Sequence, residues 1–301
     1  MASTGKRKRR ASVTDQPRVR LLRAVFRLGR LAPGLAARLA ERVWFTVPRF
    51  PTPPRERDAE ARARVDFIDS DHGPLAVYQW GEASAPPVLL LHGWAGRATQ
   101  MYAFIEPLLA AGYRAVALDA PAHGRSPGRQ TNIFEIVHAL EQLDTRFGPF
   151  AGAIAHSFGV PSCMLALHEQ RLHCARLVGI SPPFDLIGML DKFCDILDIP
   201  PAVKARMRTR IGNRLGEHVW QRIRVDQVAP QLRQPALIIH DERDREVPIE
   251  EGRRTAAAWP GAELLVTRGH GHRRILRAPE VTGAAVAFIA GAEERLANEA
   301  G

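Results

Sequence analysis

The sequence predicts an α/β fold in which a mostly parallel central sheet is covered by helices on both faces and preceded by a helical arm. Three observations carry this. Six short runs are apolar throughout, the mark of strands buried on both faces rather than on one. Helical patterns alternate with these runs, as the crossovers of a parallel sheet require. The chain has 301 residues, 46% of them hydrophobic and 25% charged, which is ordinary globular composition near the size limit of one core.

Residues 1–16 are polar and charged and read as a disordered basic tail. From Val19, the residues Leu22, Val25, Phe26, Leu35, Leu39 and Val43 recur at helical spacing, with a break at Pro33-Gly34 into two short helices. Residues 17–63 are therefore expected to form an amphipathic helical arm, closed by the proline-rich stretch Pro48 to Arg55. Val65 to Ile68 and Leu75 to Tyr78 flank Asp71-His72-Gly73 and predict a hairpin. The apolar runs follow at Val88 to Leu91, Arg114 to Leu118, Ala151 to Ala155, Arg176 to Ile180, Ala236 to Ile239 and Glu263 to Val266. Helices are expected at Gln100 to Ala111, Ile133 to Phe147, Ser157 to Gln170, Pro248 to Trp259 and Ile275 to Leu296. The rhythm breaks once, between Ser181 and Pro235, where the sequence is helical. A cap insertion at about 182–234, placed like a lid, is the expected result within a domain spanning 64–301.

The net charge of +10 is unevenly spread. Residues 1–64 hold 17 Lys+Arg and 5 Asp+Glu, while the remaining 237 residues are close to neutral at −2. The field that could steer a polyanion belongs to the arm alone, and the body shows no aromatics interleaved with basic residues, so a nucleic-acid partner is not expected. No apolar stretch reaches the roughly 18 residues of a membrane span. Cys163, Cys174 and Cys194 lack the spacing of a disulfide framework or zinc site and read as buried thiols in a reducing, cytoplasmic compartment. Neither a GxGxxG nor a GxxxxGK[ST] loop occurs, so no cofactor and no metal are expected.

The sharpest chemical signal is Ala155-His156-Ser157-Phe158-Gly159, placed after a strand and before a helix. A serine nucleophile at such a turn needs small residues two positions before and after it, and Ala155 and Gly159 meet that need. Leu91-His92-Gly93-Trp94-Ala95-Gly96 follows the first parallel strand and Asp119-Ala120-Pro121-Ala122-His123-Gly124-Arg125-Ser126 the second. Serine also needs a histidine to take its proton and a carboxylate to hold that imidazole in one tautomer. His240-Asp241-Glu242-Arg243-Asp244 offers three acids after the fifth run, and Gly269-His270-Gly271-His272 offers two histidines after the sixth.

Together these segments, in register over Val88 to Arg274, resemble the serine branch of the α/β-hydrolase superfamily, with alanine at 155 where the nucleophile elbow usually has glycine. The resemblance implies a Ser157, Asp244, His272 triad, because the family's acid precedes a Val-Pro pair by three positions and its histidine ends a Gly-x-Gly-His motif. It also makes the amides of Trp94 and Phe158 the oxyanion donors. Asp241 and Glu242 then read as solvated loop charges, with Asp241 the alternative acid, and His270 as a helper. The loop from Asp119 lines the base of the site without a catalytic step. Relatives that open epoxides or remove halide carry aspartate at the elbow, so Ser157 points to hydrolysis of an ester, thioester or amide through an acyl-enzyme. The expected partner is a small, fairly apolar acyl substrate.

Two segments stay open. The apolar residues of the insertion, among them Phe184, Leu186, Met189, Leu190 and Phe193, read as the inner face of a cap helix or as the wall of an acyl pocket. The arm reads as a segment docked on the protein, or as one lying in a membrane interface as a peripheral contact.

Overall fold

The computed structural model describes residues 17–71 and 73–299, without the side chains of 292–299. The tail expected at 1–16 lies outside the described residues. Two compact units are present, one formed by the described residues up to Trp44 with Leu186–Trp220, the other by Phe45–Asp185 with the chain from Gln221 onward.

The first unit holds α1 (Pro17–Leu28) and α2 (Pro33–Phe45) from the arm, separated by a 3-10 turn at Gly29–Leu31. With them pack α7 (Leu186–Ile196), α8 (Pro201–Leu215) and α9 (Val219–Arg222) of the insertion. Arg23 donates to the Ile196 carbonyl at 2.9 Å and, with Arg27, pairs with Asp198. Glu41, nearly buried, receives Arg210 at 2.5 Å, and the Trp44 and Phe193 rings meet edge-on at 5.1 Å. One face of the arm is thus docked, with Phe26, Ala37 and Ala40 fully buried.

The second unit begins with a helix that the sequence reading missed, α3 (Pro54–Arg62). Pro54 occupies its first turn, where the missing amide hydrogen is harmless and the ring presets the helical φ, so the proline run that closes the arm also starts a helix. Strands β1 (Arg64–Ile68) and β2 (Leu75–Trp80) form the expected hairpin. Then follow β3 (Pro87–Leu91), α4 (Ile105–Ala110), β4 (Arg114–Leu118), α5 (Ile133–Phe147), β5 (Gly152–His156), α6 (Gly159–His168) and β6 (Leu177–Ile180). After the insertion come α10 (Val225–Val228), β7 (Ala236–Asp241), α11 (Ile249–Ala258) and β8 (Glu263–Thr267), and after them α12 (Gly271–Arg274) and α13 (Pro279–Glu299).

The eight strands form one sheet in the order β1-β2-β4-β3-β5-β6-β7-β8, antiparallel through β2 and parallel from β4 to β8. The order reverses around β3, so the loops after β3 and β5 emerge side by side at the carboxyl edge, where open α/β sheets place their sites. The single C-terminal helix expected from Ile275 is in fact broken. A 3-10 turn at Ile275–Arg277 precedes α13, because Pro279 cannot continue a helix but can begin one. Among the described residues no helix is long and apolar enough to cross a membrane. All three cysteines are buried and unpaired.

Candidate active site

Between β5 and α6 the chain turns through Ser157 with a φ of 50°, a left-handed conformation that costs a non-glycine residue about 1 kcal/mol or more. The turn is held from outside, since the Ser157 amide donates to the Ile180 carbonyl of β6 at 2.8 Å. Gly159 is required here: a Cβ on it would sit 2.7 Å from the His92 carbonyl oxygen and 3.0 Å from that of Leu91. Ala155, by contrast, is fully buried in the sheet between Leu91 and Gly179, and its methyl is accommodated.

The structure brings the three residues of the expected triad together. His272, on the four-residue α12, receives the Ser157 hydroxyl on Nε2 at 3.0 Å. Its Nδ1–H donates to Asp244 Oδ2 at 2.8 Å. Asp244 has no exposed side-chain surface, and its Oδ1 accepts the amides of Glu246 at 2.8 Å and Val247 at 2.9 Å. Burial pushes the Asp244 carboxyl up, but the hydrogen bond and charge of His272 and the two amides outweigh it, so the group lies below the ordinary carboxylate value. The arrangement can move the serine proton to an imidazole whose tautomer is fixed by an ionised acid.

Asp241 differs from the sequence reading. It is a fully buried carboxylate, not a solvated loop charge. Its Oδ1 accepts the Arg243 amide at 2.9 Å, and its Oδ2 accepts Thr267 Oγ1 at 3.0 Å and the His270 amide at 2.9 Å. Burial raises its pKa, yet these donors and the Gly271 amide bring it below the ordinary value. Asp241 therefore shapes the loop that carries His272 and does not touch the imidazole. Glu242 is paired with Arg268 on the surface, and His270 Nε2 meets Glu280 at 2.6 Å, away from Ser157.

The loop after β3 lies against the elbow. A Cβ on Gly93 would be 2.8 Å from that of Ser157, so only glycine permits the approach. Among the described residues, neither the Trp94 nor the Phe158 amide has a hydrogen-bond acceptor, and the two rings meet edge-on at 5.5 Å. Such uncommitted amides beside a nucleophile can receive a developing oxyanion. Side chains and backbone of the neighbouring loop hold this one in place. Ala95, with a φ of 58°, donates its amide to His123 Nε2 at 3.1 Å, while His123 Nδ1–H donates to Pro121 O. His92 donates from Nδ1 to Gly93 O and accepts the Ala120 amide on Nε2 at 3.2 Å. Both rings must be neutral to accept. Burial above all lowers His92 to about 4, and burial with the neighbouring His92 lowers His123 to about 3. Asp119 accepts the amides of Ala98 and Arg125 and the Tyr78 hydroxyl, the structural part expected of its loop.

An α/β-hydrolase fold with a serine, a histidine and an aspartate joined at its carboxyl edge defines the class. The sequence model of the Alpha/beta hydrolase family matches residues 88–285, and the chain belongs to that family. A human protein named Serine hydrolase-like protein is 37% identical over 95 residues, which cover 29% of this chain and 45% of that protein. Epoxide hydrolase B of Mycobacterium tuberculosis is 34% identical over 116 residues, 36% of this chain and 32% of that one. The chain thus spans less than half the length of these curated relatives. Among solved structures, the Pyrococcus furiosus esterase Pf2001 superposes with a TM-score of 0.59 at 23% identity, covering 81% of this chain and 95% of the esterase. That likeness is one of fold.

Proposed function

We propose that this protein is a serine hydrolase that cleaves a small or medium, fairly apolar ester or thioester through an acyl-enzyme. The observation that carries the reading is the continuous hydrogen-bonded line from Ser157 Oγ through the His272 ring to Asp244, at 3.0 Å and 2.8 Å. In this reading Ser157 attacks the acyl carbon as His272 takes its proton, and Asp244 stabilises the imidazolium without itself accepting that proton. The Trp94 and Phe158 amides receive the oxyanion. His272 then returns the proton to the departing alcohol or thiol, and water repeats the sequence on the acyl-enzyme. Serine at the elbow favours this course over epoxide opening despite the mycobacterial relative. The proposed compartment is the cytoplasm.

The test is a panel of p-nitrophenyl esters from acetate to palmitate, run beside a fluorophosphonate probe. Hydrolysis peaking at short or medium chains, with labelling lost in Ser157→Ala, is the expected result. Undiminished labelling of the Ser157→Ala chain would overturn the assignment.

A further inference from the structure

The arm has two faces, and the docked one accounts for only half of its apolar residues. On α1, Leu21, Val25 and Leu28 are 66%, 40% and 65% exposed, and they fall within about 60° of one another around the helix axis. Phe26, fully buried, lies on the opposite side. The 3-10 turn adds Leu31, 81% exposed, and α2 adds Leu35 at 66% and Leu39 at 37%. Six of the large hydrophobic residues that face solvent are therefore concentrated in nineteen consecutive positions, whereas scattered single exposures are the ordinary case. Arg18, Arg30 and Arg38 are exposed beside them, and residues 17–45 hold seven arginines against a single glutamate.

We propose that the exposed face of α1 and α2 is a docking surface for an anionic lipid bilayer, with the leucines entering the acyl boundary and the flanking arginines meeting the headgroups. Charge decides the occupant. A second copy would bring the same arginines against one another, and like charges facing each other across an interface oppose association. An anionic headgroup layer complements them, and long basic side chains reach headgroups while their stems stay in the apolar layer. The turn at Gly29–Leu31 itself presents an exposed leucine, Leu31, between those of the two helices.

The surface is tested with the full chain and two sets of vesicles, one equimolar in phosphatidylglycerol and phosphatidylcholine, the other phosphatidylcholine alone. Co-sedimentation with the first set and weak binding to the second is expected, with binding falling as salt rises. The double variant L28S/L31S should reduce partition about tenfold or more, consistent with the loss of two buried leucine side chains. Both sites are exposed, so the circular dichroism and melting curve should match those of the parent. Equal binding by the variant would place the contact elsewhere and overturn the proposal, as would failure of the parent to bind anionic vesicles. A concentration-dependent dimer abolished by L28S/L31S would assign the face to a second copy and likewise overturn it. None of these readouts depends on esterase activity.

Discussion

His156 Nε2 donates to the backbone carbonyl of His272 at 2.9 Å, and the two rings lie 4.7 Å apart. His156 is almost fully buried, and its Nδ1 has no partner among the described residues. Burial and the neighbouring His272 push its pKa well down, so it stays neutral and would add no like charge beside His272 in the proposed reaction. A four-residue helix has little rigidity of its own, and the His156 hydrogen bond pins it at His272, the proposed base. His156 is thus a positioning residue. His156→Leu should lower kcat about 10- to 100-fold with KM little changed, since small misplacements of a base are costly. His156→Gln, which can still donate, should recover most of the loss. Equal losses in both variants would show that only packing matters.

The two aspartates of the β7 loop should separate by phenotype. Asp244→Asn leaves the loop hydrogen bonds largely intact but lets His272 take the wrong tautomer, so kcat should fall by on the order of 10³ or more with the melting temperature near that of the parent. Asp241→Asn acts differently. Both its oxygens accept, so an amide NH₂ must face a donor such as the His270 amide, at a cost of about 1–3 kcal/mol. A melting temperature lowered by several degrees with a partial loss of activity is expected. If thermal melting left Asp241→Asn unchanged, the loop role assigned to its carboxylate would be wrong.

The loop after β3 should make the protein sensitive to mild acid. His92 and His123 are neutral in the fold, with pKa values of about 4 and about 3, against the ordinary value of 6.5. Below 6.5 the unfolded chain takes up protons that the folded chain refuses. Their contribution is therefore complete above pH 6.5 and is lost progressively as the pH falls toward 4 and 3, at about 1.4 kcal/mol per pH unit for each group. Melting temperature measured from pH 7.5 to 4.5 should fall, and His92→Gln should flatten the slope. A slope that is the same in parent and variant would remove His92 from this account.

The elbow gives a matched pair of small substitutions. Gly159→Ala places a methyl against the His92 and Leu91 carbonyl oxygens, which are backbone and cannot swing away. A loss of about 1–3 kcal/mol and a displaced loop after β3 are expected. Ala155→Gly adds backbone freedom to a strand and deletes one buried methyl, for about 1–2 kcal/mol together, and should leave kcat near that of the parent. Denaturant melts and ester kinetics on the two variants decide it.

Ser157, Asp244 and His272 were legible in the sequence because each lies just after an apolar strand run, and the sheet converges those positions at one edge. Asp241 was not legible. Its burial depends on amides from Arg243 and His270, which reach it only once the β7 and β8 loops are side by side. His123 and His156 carried no local signal either, since a histidine that accepts an amide or donates to a distant carbonyl looks in sequence like any other. For α3 the signal is ambiguous in sequence, because a proline run can end one helix and Pro54 at the first helical position can begin the next. Nothing in the arm's spacing revealed that its two faces would part, because Phe26 and Leu28 are equally apolar and only packing tells them apart.

That packing can be tested by removing the arm. Without residues 1–44, Asp198 loses Arg23 and Arg27, Arg210 loses Glu41, and Phe193 loses the Trp44 ring. The exposed ion pairs matter little, but the apolar core shared with α7 and α8 loses the buried Phe26, Ala36, Ala37 and Ala40. A unit of this size has no reserve for such a loss. The truncated chain should therefore melt at a lower temperature, bind more of an apolar dye, and be cut by limited proteolysis within 186–220, while the parent resists. Cleavage confined to the C-terminal helix, with 186–220 as protected as in the parent, would mean that the insertion folds without the arm.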